Sequence, residues 1–142
     1  MKNTIKAVVL GLSLLASVSV CYAQDFDKGM DAYLSEDYAT ALREWRPLAA
    51  QSDVEAQFFL GVMYATGQGV IKDNVYAHMW WNIAASSGYA SAVNNREIVA
   101  GKMTAADISK AQDATTSCQE RFRVFSRFIT VRENGVEPFL RQ

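Results

Sequence analysis

The feature that most constrains the fold of this chain is an internal repeat with a period of 36 residues. When the sequence is aligned with itself at this shift, residues 37–56 give five identical pairs, four of which are spaced by four residues. A spacing of four follows one face of an α-helix. A period of this length is typical of stacked helical units, each too small to bury its apolar face alone. The pairs are Asp37 and Asp73, Ala41 and Ala77, Trp45 and Trp81, Ala49 and Ala85, and Ala56 and Ala92.

The positions of capping and breaking residues predict three helical hairpins. We expect helices at residues 26–34, 37–51, 53–66, 73–87 and 89–100, with Gly88 as a left-handed terminating residue. Ser52 and Glu55 fit a capping box for the helix that opens at Asp53, and Pro47 predicts a kink in the helix before it. After a cap at Thr104, apolar and small side chains recur at three- and four-residue steps up to Phe125, which predicts a long closing helix.

One stretch of the sequence resembles the Sel1-like repeat, a relative of the tetratricopeptide repeat. The resemblance is carried by Ala56-Gln57-Phe58-Phe59-Leu60-Gly61-Val62-Met63-Tyr64, Gly67-Gln68-Gly69-Val70, Asp73, Ala77, Trp80-Trp81, Ala84-Ala85 and Gly88. It covers one full unit, a preceding unit whose loop is four residues shorter, and a degenerate third unit with Arg96-Glu97 in place of Leu-Gly. It implies an all-α fold, a short α/α solenoid of Sel1-like hairpins closed by a long C-terminal helix.

The resemblance further implies a scaffold or adaptor that binds a protein or peptide, without an enzymatic activity. By the geometry of the related tetratricopeptide repeat, the first helix of each hairpin lines a concave face, where an apolar strip receives a peptide or a helix. The alternative is that the protein's own tail covers this strip. The residues expected to line it are Phe26, Met30 and Tyr33 from the first unit and Glu55, Phe58, Val62 and Ala65 from the second.

The sequence offers little for catalysis, and we expect no catalytic site, metal or cofactor. His78 is the only histidine and lacks a partner for a zinc site or a Cys-His couple, which favours a surface or interfacial role. Gly67-Gln68-Gly69 is not followed by the lysine of a phosphate-binding loop, so we interpret it as a turn. Cys118 falls on the apolar stripe of the closing helix, which favours a buried thiol over a reactive one.

The first 23 residues have the layout of a secretory signal peptide. Lys2 and Lys6 precede an uncharged run at residues 7–20, and Cys21-Tyr22-Ala23 fits a cleavage site before Gln24. We therefore expect a periplasmic or secreted protein without a membrane span after cleavage. The alternative is a lipoprotein acylated at Cys21. The remaining chain has 12 basic and 15 acidic side chains, a balance that does not favour nucleic acid as a partner.

These boundaries give a helical repeat domain at residues 24–128 and a C-terminal tail at residues 129–142. The final segment from Arg121 to Gln142 is locally basic and interleaved with phenylalanines, which favours docking on the hairpins, with an anionic membrane surface or a partner as the alternatives. Residues 129–132, followed by Glu133-Asn134-Gly135, favour an extended segment with a turn. A homodimer through the tail or through Cys118 is a further expectation. Two other functions stay open: an envelope hydrolase acting on cell-wall or β-lactam substrates, and a structural subunit of an envelope assembly.

Overall fold

A computed structural model of the protein describes residues 25–133, with side chains described up to residue 124. This part of the chain contains helices and connecting turns and no strand. The six helices are α1 (Phe26–Leu34), α2 (Tyr38–Ala50), α3 (Val54–Thr66), α4 (Asn74–Ser86), α5 (Ala90–Ala100) and α6 (Ala105–Glu133). The predicted all-α fold is confirmed. Helices α1 to α5 lie where the sequence predicted them to within one residue at each end, whereas α6 begins at the predicted place and runs eight residues beyond Phe125.

Two local predictions are wrong. Residues 129–132 are helical and not extended, because α6 continues to Glu133. Adding a residue to an existing helix costs far less than starting new structure, and a lone strand has no partner here. The capping box of Ser52 and Glu55 does not form either. Ser52 has a left-handed backbone with φ of 69°, so the helix is capped instead by Asp53, whose carboxylate accepts a hydrogen bond from the Ala56 amide at 2.8 Å.

Aspartates start each helix of the first two hairpins. Their carboxylates accept hydrogen bonds from backbone amides in the first turn, which satisfies groups that the helix itself leaves unpaired. The last helix starts differently, since the Thr104 hydroxyl accepts from the Asp107 amide at 3.2 Å and donates to the Asp107 carboxylate at 2.8 Å. Helix α2 runs through Pro47 as one helix. The four capping aspartates are Asp25, Asp37, Asp53 and Asp73.

The first two hairpins are closed by the same contact between a tryptophan and a glycine. The indole of Trp45 lies on Gly29, and the indole of Trp81 lies on Gly61, so closely that a Cβ on either glycine would overlap the ring. Each indole N–H also donates to a backbone carbonyl three residues before the glycine. The Trp45 bond to Phe26 O is 3.2 Å, and the equivalent Trp81 bond is 3.1 Å. Burying each ring with its N–H satisfied gives the hairpin most of its core.

The third hairpin lacks this contact. A shift of 36 residues places Glu97 at the position of Gly61. Trp45 and Trp81 each lie eight residues after the residue that caps their helix, and the eighth residue after the Thr104 cap of α6 is Gln112. Helix α6 accordingly packs against α4 and not mainly against α5. Thr115 and Gln119 approach Asn82 and Ser86 with the same 33-residue separation, which shows that α6 runs parallel to α4. In the final segment from Arg121 on, the Phe122 ring stacks on Trp80 of α4 at 6.4 Å; the side chains after residue 124 lie outside the described residues, and their docking stays a prediction.

The turn between α3 and α4 lies within the second unit and contacts the first unit through its side chains. Gly67 and Gly69 both have left-handed backbones, with φ of 81° and 71°. Between them, the Gln68 side chain accepts a hydrogen bond from the Tyr33 hydroxyl at 2.6 Å and donates to the Tyr38 hydroxyl at 3.0 Å. This loop is four residues longer than the loop of the first unit, and the extra length lets it reach the preceding hairpin. The segment is the turn that the sequence predicted.

Candidate functional site

The residues predicted to line the binding face lie on α1 and α3, in two different surroundings. Phe26, Met30 and Tyr33 are half-buried against the first core cluster, which is built around Trp45. Phe58, Val62 and Ala65 are half-buried against the second core cluster, which is built around Trp81. Glu55 is exposed. The structure therefore does not gather the seven residues into one strip, and their role in binding stays a prediction.

The α1 residues take part in packing within and between the first two hairpins. The Phe26 ring stacks on Trp45 at 5.7 Å and also contacts Phe59 at 5.8 Å. Tyr33 contacts the Trp45 ring at 5.5 Å, and burial together with the neighbouring Tyr38 raises the pKa of its hydroxyl, an effect that the Gln68 hydrogen bond opposes. These side chains hold the first hairpin on the second.

Two of the α3 residues open onto a groove between α3 and α5, which we call the α3–α5 groove. Its volume is about 250 Å³, and Val62 and Ala65 line it together with Ile98 and Val99 of α5. Ile98 is 61% exposed, which is unusual for a large aliphatic side chain next to a core. Phe58 lies outside the groove, where its ring contacts Tyr89 at 5.1 Å.

Lysines at one end give the α3–α5 groove a positive charge. Lys72 and Lys102 line the groove and also an adjoining hollow of about 410 Å³ at the start of α4. Neither lysine forms an ion pair with a residue that the structure describes. The two nearby carboxylates have other partners, since Asp73 caps α4 and Asp107 accepts a hydrogen bond from the Thr104 hydroxyl and pairs with Lys110. The groove thus combines an apolar strip with two cations that no described carboxylate neutralises.

The sequence analysis missed Ile98, Lys72 and Lys102. Ile98 carries a usable signal, because a shift of 36 residues from Val62 lands on it. Neither lysine has such a signal, because their proximity depends on how the α3–α4 turn and the end of α5 come together in space. Only the fold brings the two lysines to one groove.

His78 lies between helices and is almost fully buried, at 5% exposed. Its Nδ1 atom is buried without a hydrogen-bond partner among the described residues. Burial lowers the pKa of the imidazole, and the positive charge of Arg96 lowers it further, so His78 is neutral near pH 7. His78 is therefore not at the surface, and the interfacial role that the sequence analysis gave as the other possibility stays a prediction. Within residues 25–124, no three His, Cys, Asp or Glu side chains come together in a way that could hold a metal ion.

Cys118 is half-buried on α6 and has no disulfide partner in the part of the chain that the structure describes. Burial raises the pKa of its thiol, and the neighbouring Arg121 partly opposes this shift. The thiol is therefore mostly protonated at neutral pH, which makes it a poor nucleophile. A disulfide between two chains stays a prediction.

The comparisons with known proteins give one match. The family model of the Sel1 repeat matches residues 54–89, which contain α3, α4 and the turn between them. The match spans 36 of the 142 residues. No curated protein and no solved structure gives a significant match to the chain.

Proposed function

Because this small helical protein contains a Sel1 repeat, and Sel1 repeats generally mediate contacts between proteins, we propose that it is a binding module whose partner is a protein or peptide. Repeats of this family are typically not enzymes. In this proposal the chain works by binding, without a cofactor, and the α3–α5 groove is the contact site. The partner places apolar side chains over Val62 and Ile98 and directs a carboxylate towards Lys72 and Lys102.

The observation that carries this proposal is the course of the closing helix. Helix α6 packs along α4, and none of the residues lining the α3–α5 groove belongs to it. The groove is thus left open by the described part of the segment that would otherwise cover it. Peptide-binding sites typically combine an apolar centre, where a side chain of the peptide is removed from water, with a polar rim. The open apolar groove with lysines at its edge has this composition.

The place of action that we propose is outside the cytoplasm, in the periplasm or beyond. Residues 1–23 carry the pattern of a signal peptide, and they lie outside the described residues. None of the described helices is both long and apolar enough to cross a bilayer. Mass spectrometry of the purified protein from an envelope fraction tests this, with Gln24 as the expected first residue and a lipid-modified Cys21 as the contradictory result.

Affinity capture with matched variants tests the groove. The protein is immobilised as wild type, as Ile98→Asp and as Leu34→Asp, and bound envelope proteins are quantified. Both side chains are largely exposed, at 61% and 72%, so neither change should affect folding. We expect Ile98→Asp to lose specific partners that Leu34→Asp keeps. Equal recovery of every partner by the three forms would show that the groove is not the binding site.

A further inference from the structure

A second groove lies on the other side of α4 and is larger than the first. Its volume is about 650 Å³, and its lining comes from α2, the end of α3, α4 and α6. We call it the α4–α6 groove. The side chains that matter for its chemistry are Arg46 from α2, Tyr64 from α3, Tyr76 and Trp80 from α4, and Arg121 and Phe122 from α6.

The aromatic side chains of this groove are held in stacked pairs. Tyr64 stacks on Tyr76 with ring centroids 5.2 Å apart, and Trp80 stacks on Phe122 at 6.4 Å. Tyr76 is nevertheless 47% exposed. Rings that are fixed before a ligand arrives lose little entropy on binding. Tryptophan, tyrosine and arginine are also the residues that most often dominate the energetics of protein interfaces, and the groove combines all three.

The groove is positively charged, and none of the described residues that line it is acidic. Of the nine lysines and arginines between residues 25 and 124, five form ion pairs with described carboxylates. The other four all line grooves, Lys72 and Lys102 in the α3–α5 groove and Arg46 and Arg121 here. Arg46 and Arg121 come from different helices, so the folded structure brings together two cations that no described carboxylate neutralises. An arginine pair of this kind suits carboxylates, which it can bind through two parallel hydrogen bonds.

A small side chain on α6 leaves space in this groove. Ser117 is exposed, and its side chain lines the α4–α6 groove. A tryptophan there would add a large ring to the lining and reduce the hollow.

We propose that the α4–α6 groove binds an acidic amphipathic helix of a partner protein. The apolar side of that helix packs on the aromatic pairs, and its carboxylates pair with Arg46 and Arg121. A groove walled by helices accepts a helix through interlocking side-chain rows. A second copy of this protein, bound groove to groove, is a poor occupant. In such a dimer the arginines of the two copies would face each other and repel. The site is separate from the α3–α5 groove and does not depend on the function proposed for it.

Selection from a library of helical peptides tests the proposal even while the partner is unidentified. The library has apolar residues at helical spacing and randomised charges elsewhere, and it is selected on the purified wild-type protein and counter-selected on the double variant Arg46→Glu, Arg121→Glu. We expect enrichment of sequences rich in Asp and Glu. Failure to enrich any peptide, or enrichment without an acidic excess, would overturn the proposal.

The best peptide is then measured by fluorescence anisotropy against matched variants. We expect Arg46→Glu with Arg121→Glu to weaken binding by about tenfold or more and to remove or reverse its salt dependence, because an acidic peptide then faces two carboxylates. The double variant Lys72→Glu, Lys102→Glu makes the same charge change in the other groove and should leave the affinity unchanged. Ser117→Trp should weaken binding by occupying the hollow while leaving every charge in place. Equal loss in both charge variants, or full affinity in Ser117→Trp, would contradict the assignment.

Two further measurements distinguish the other occupants. Sedimentation of the wild type and of the Arg46→Glu, Arg121→Glu variant reports self-association. Co-pelleting with phosphatidylglycerol vesicles reports attraction to an anionic membrane. We expect neither property to change between the two forms. A dimer or a membrane attachment that disappears in the variant would assign the groove to a second copy or to a lipid surface, and the proposal would be wrong.

Discussion

The first two hairpins are closed by a tryptophan that lies on a glycine, whereas the third has Glu97 and Gln112 at the equivalent positions. Because both partners of the contact are missing, α6 is not held against α5 and packs along α4 instead. This leaves Ile98 exposed on α5 and places α6 where it lines the α4–α6 groove. The comparison teaches that the regular part of the repeat supplies the core, while the candidate binding surfaces arise where the repeat is interrupted.

Of the changes that test this comparison, removing the tryptophan should have the largest effect on stability. We expect Trp81→Ala to lower the free energy of unfolding by about 3–5 kcal/mol, because it empties a buried site and leaves the Phe58 carbonyl without its donor. The matched change in the third hairpin, Gln112→Ala, shortens an exposed side chain and should cost less than about 0.5 kcal/mol. Urea denaturation followed by circular dichroism measures both, and similar costs would mean that the two hairpins are closed alike.

Adding one methyl group to the glycine should have the next largest effect. We expect Gly61→Ala to destabilise by about 1–3 kcal/mol, because its Cβ would overlap the Trp81 ring and the clash outweighs the better helix propensity of alanine. Glu97→Ala at the equivalent position of α5 should be almost neutral, since that side chain is 69% exposed. A stabilising Gly61→Ala in thermal denaturation would contradict the close approach of the ring.

Hydrogen bonds between side chains of neighbouring units should have the next largest effect on stability. Gln68 connects the first unit to the second through Tyr33 and Tyr38, and Asn82 links α4 to Arg96 and Thr115. We expect Gln68→Ala and Asn82→Ala each to cost about 1 kcal/mol, the net value of such hydrogen bonds. Hydrogen exchange should show the loss of protection in α1 for the first variant and in α5 for the second. Loss spread evenly over all helices would contradict separate links.

The smallest expected effect is a dependence of stability on pH from the only histidine, His78. Its pKa is lowered from the ordinary value of 6.5 in the folded state, so below that pH the unfolded chain binds the proton more readily. The free energy of unfolding should therefore be highest above pH 7 and fall as the pH drops from 7 towards 5. His78→Gln should flatten this slope in chemical denaturation curves. If the wild type instead became more stable as the pH falls from 7 to 5, the lowered pKa of His78 would be contradicted.

Much of the fold could be predicted because the 36-residue period and the capping residues are local signals. The error at Ser52 arose because both it and Asp53 are good capping residues, and the choice depends on which one has a left-handed backbone in the turn. The β-branched residues after Phe128 suggested an extended segment, but α6 propagates through them. The candidate grooves were harder to predict, since Ile98, Lys102 and Arg121 become neighbours of the other lining residues only through the packing of α5 and α6 on α4.

A double-mutant cycle on Gly61 and Trp81 tests the closing contact most directly. Trp81→Leu keeps an apolar side chain but removes the ring that occupies the space of a Cβ on residue 61. If the ring is the cause, Gly61→Ala should be destabilising in the wild type and neutral or stabilising in the Trp81→Leu background, with a coupling of about 1–3 kcal/mol. If the two changes in the free energy of unfolding simply add in the double variant, the tryptophan ring is not the reason that residue 61 is a glycine. The account of why the third hairpin differs would then be wrong.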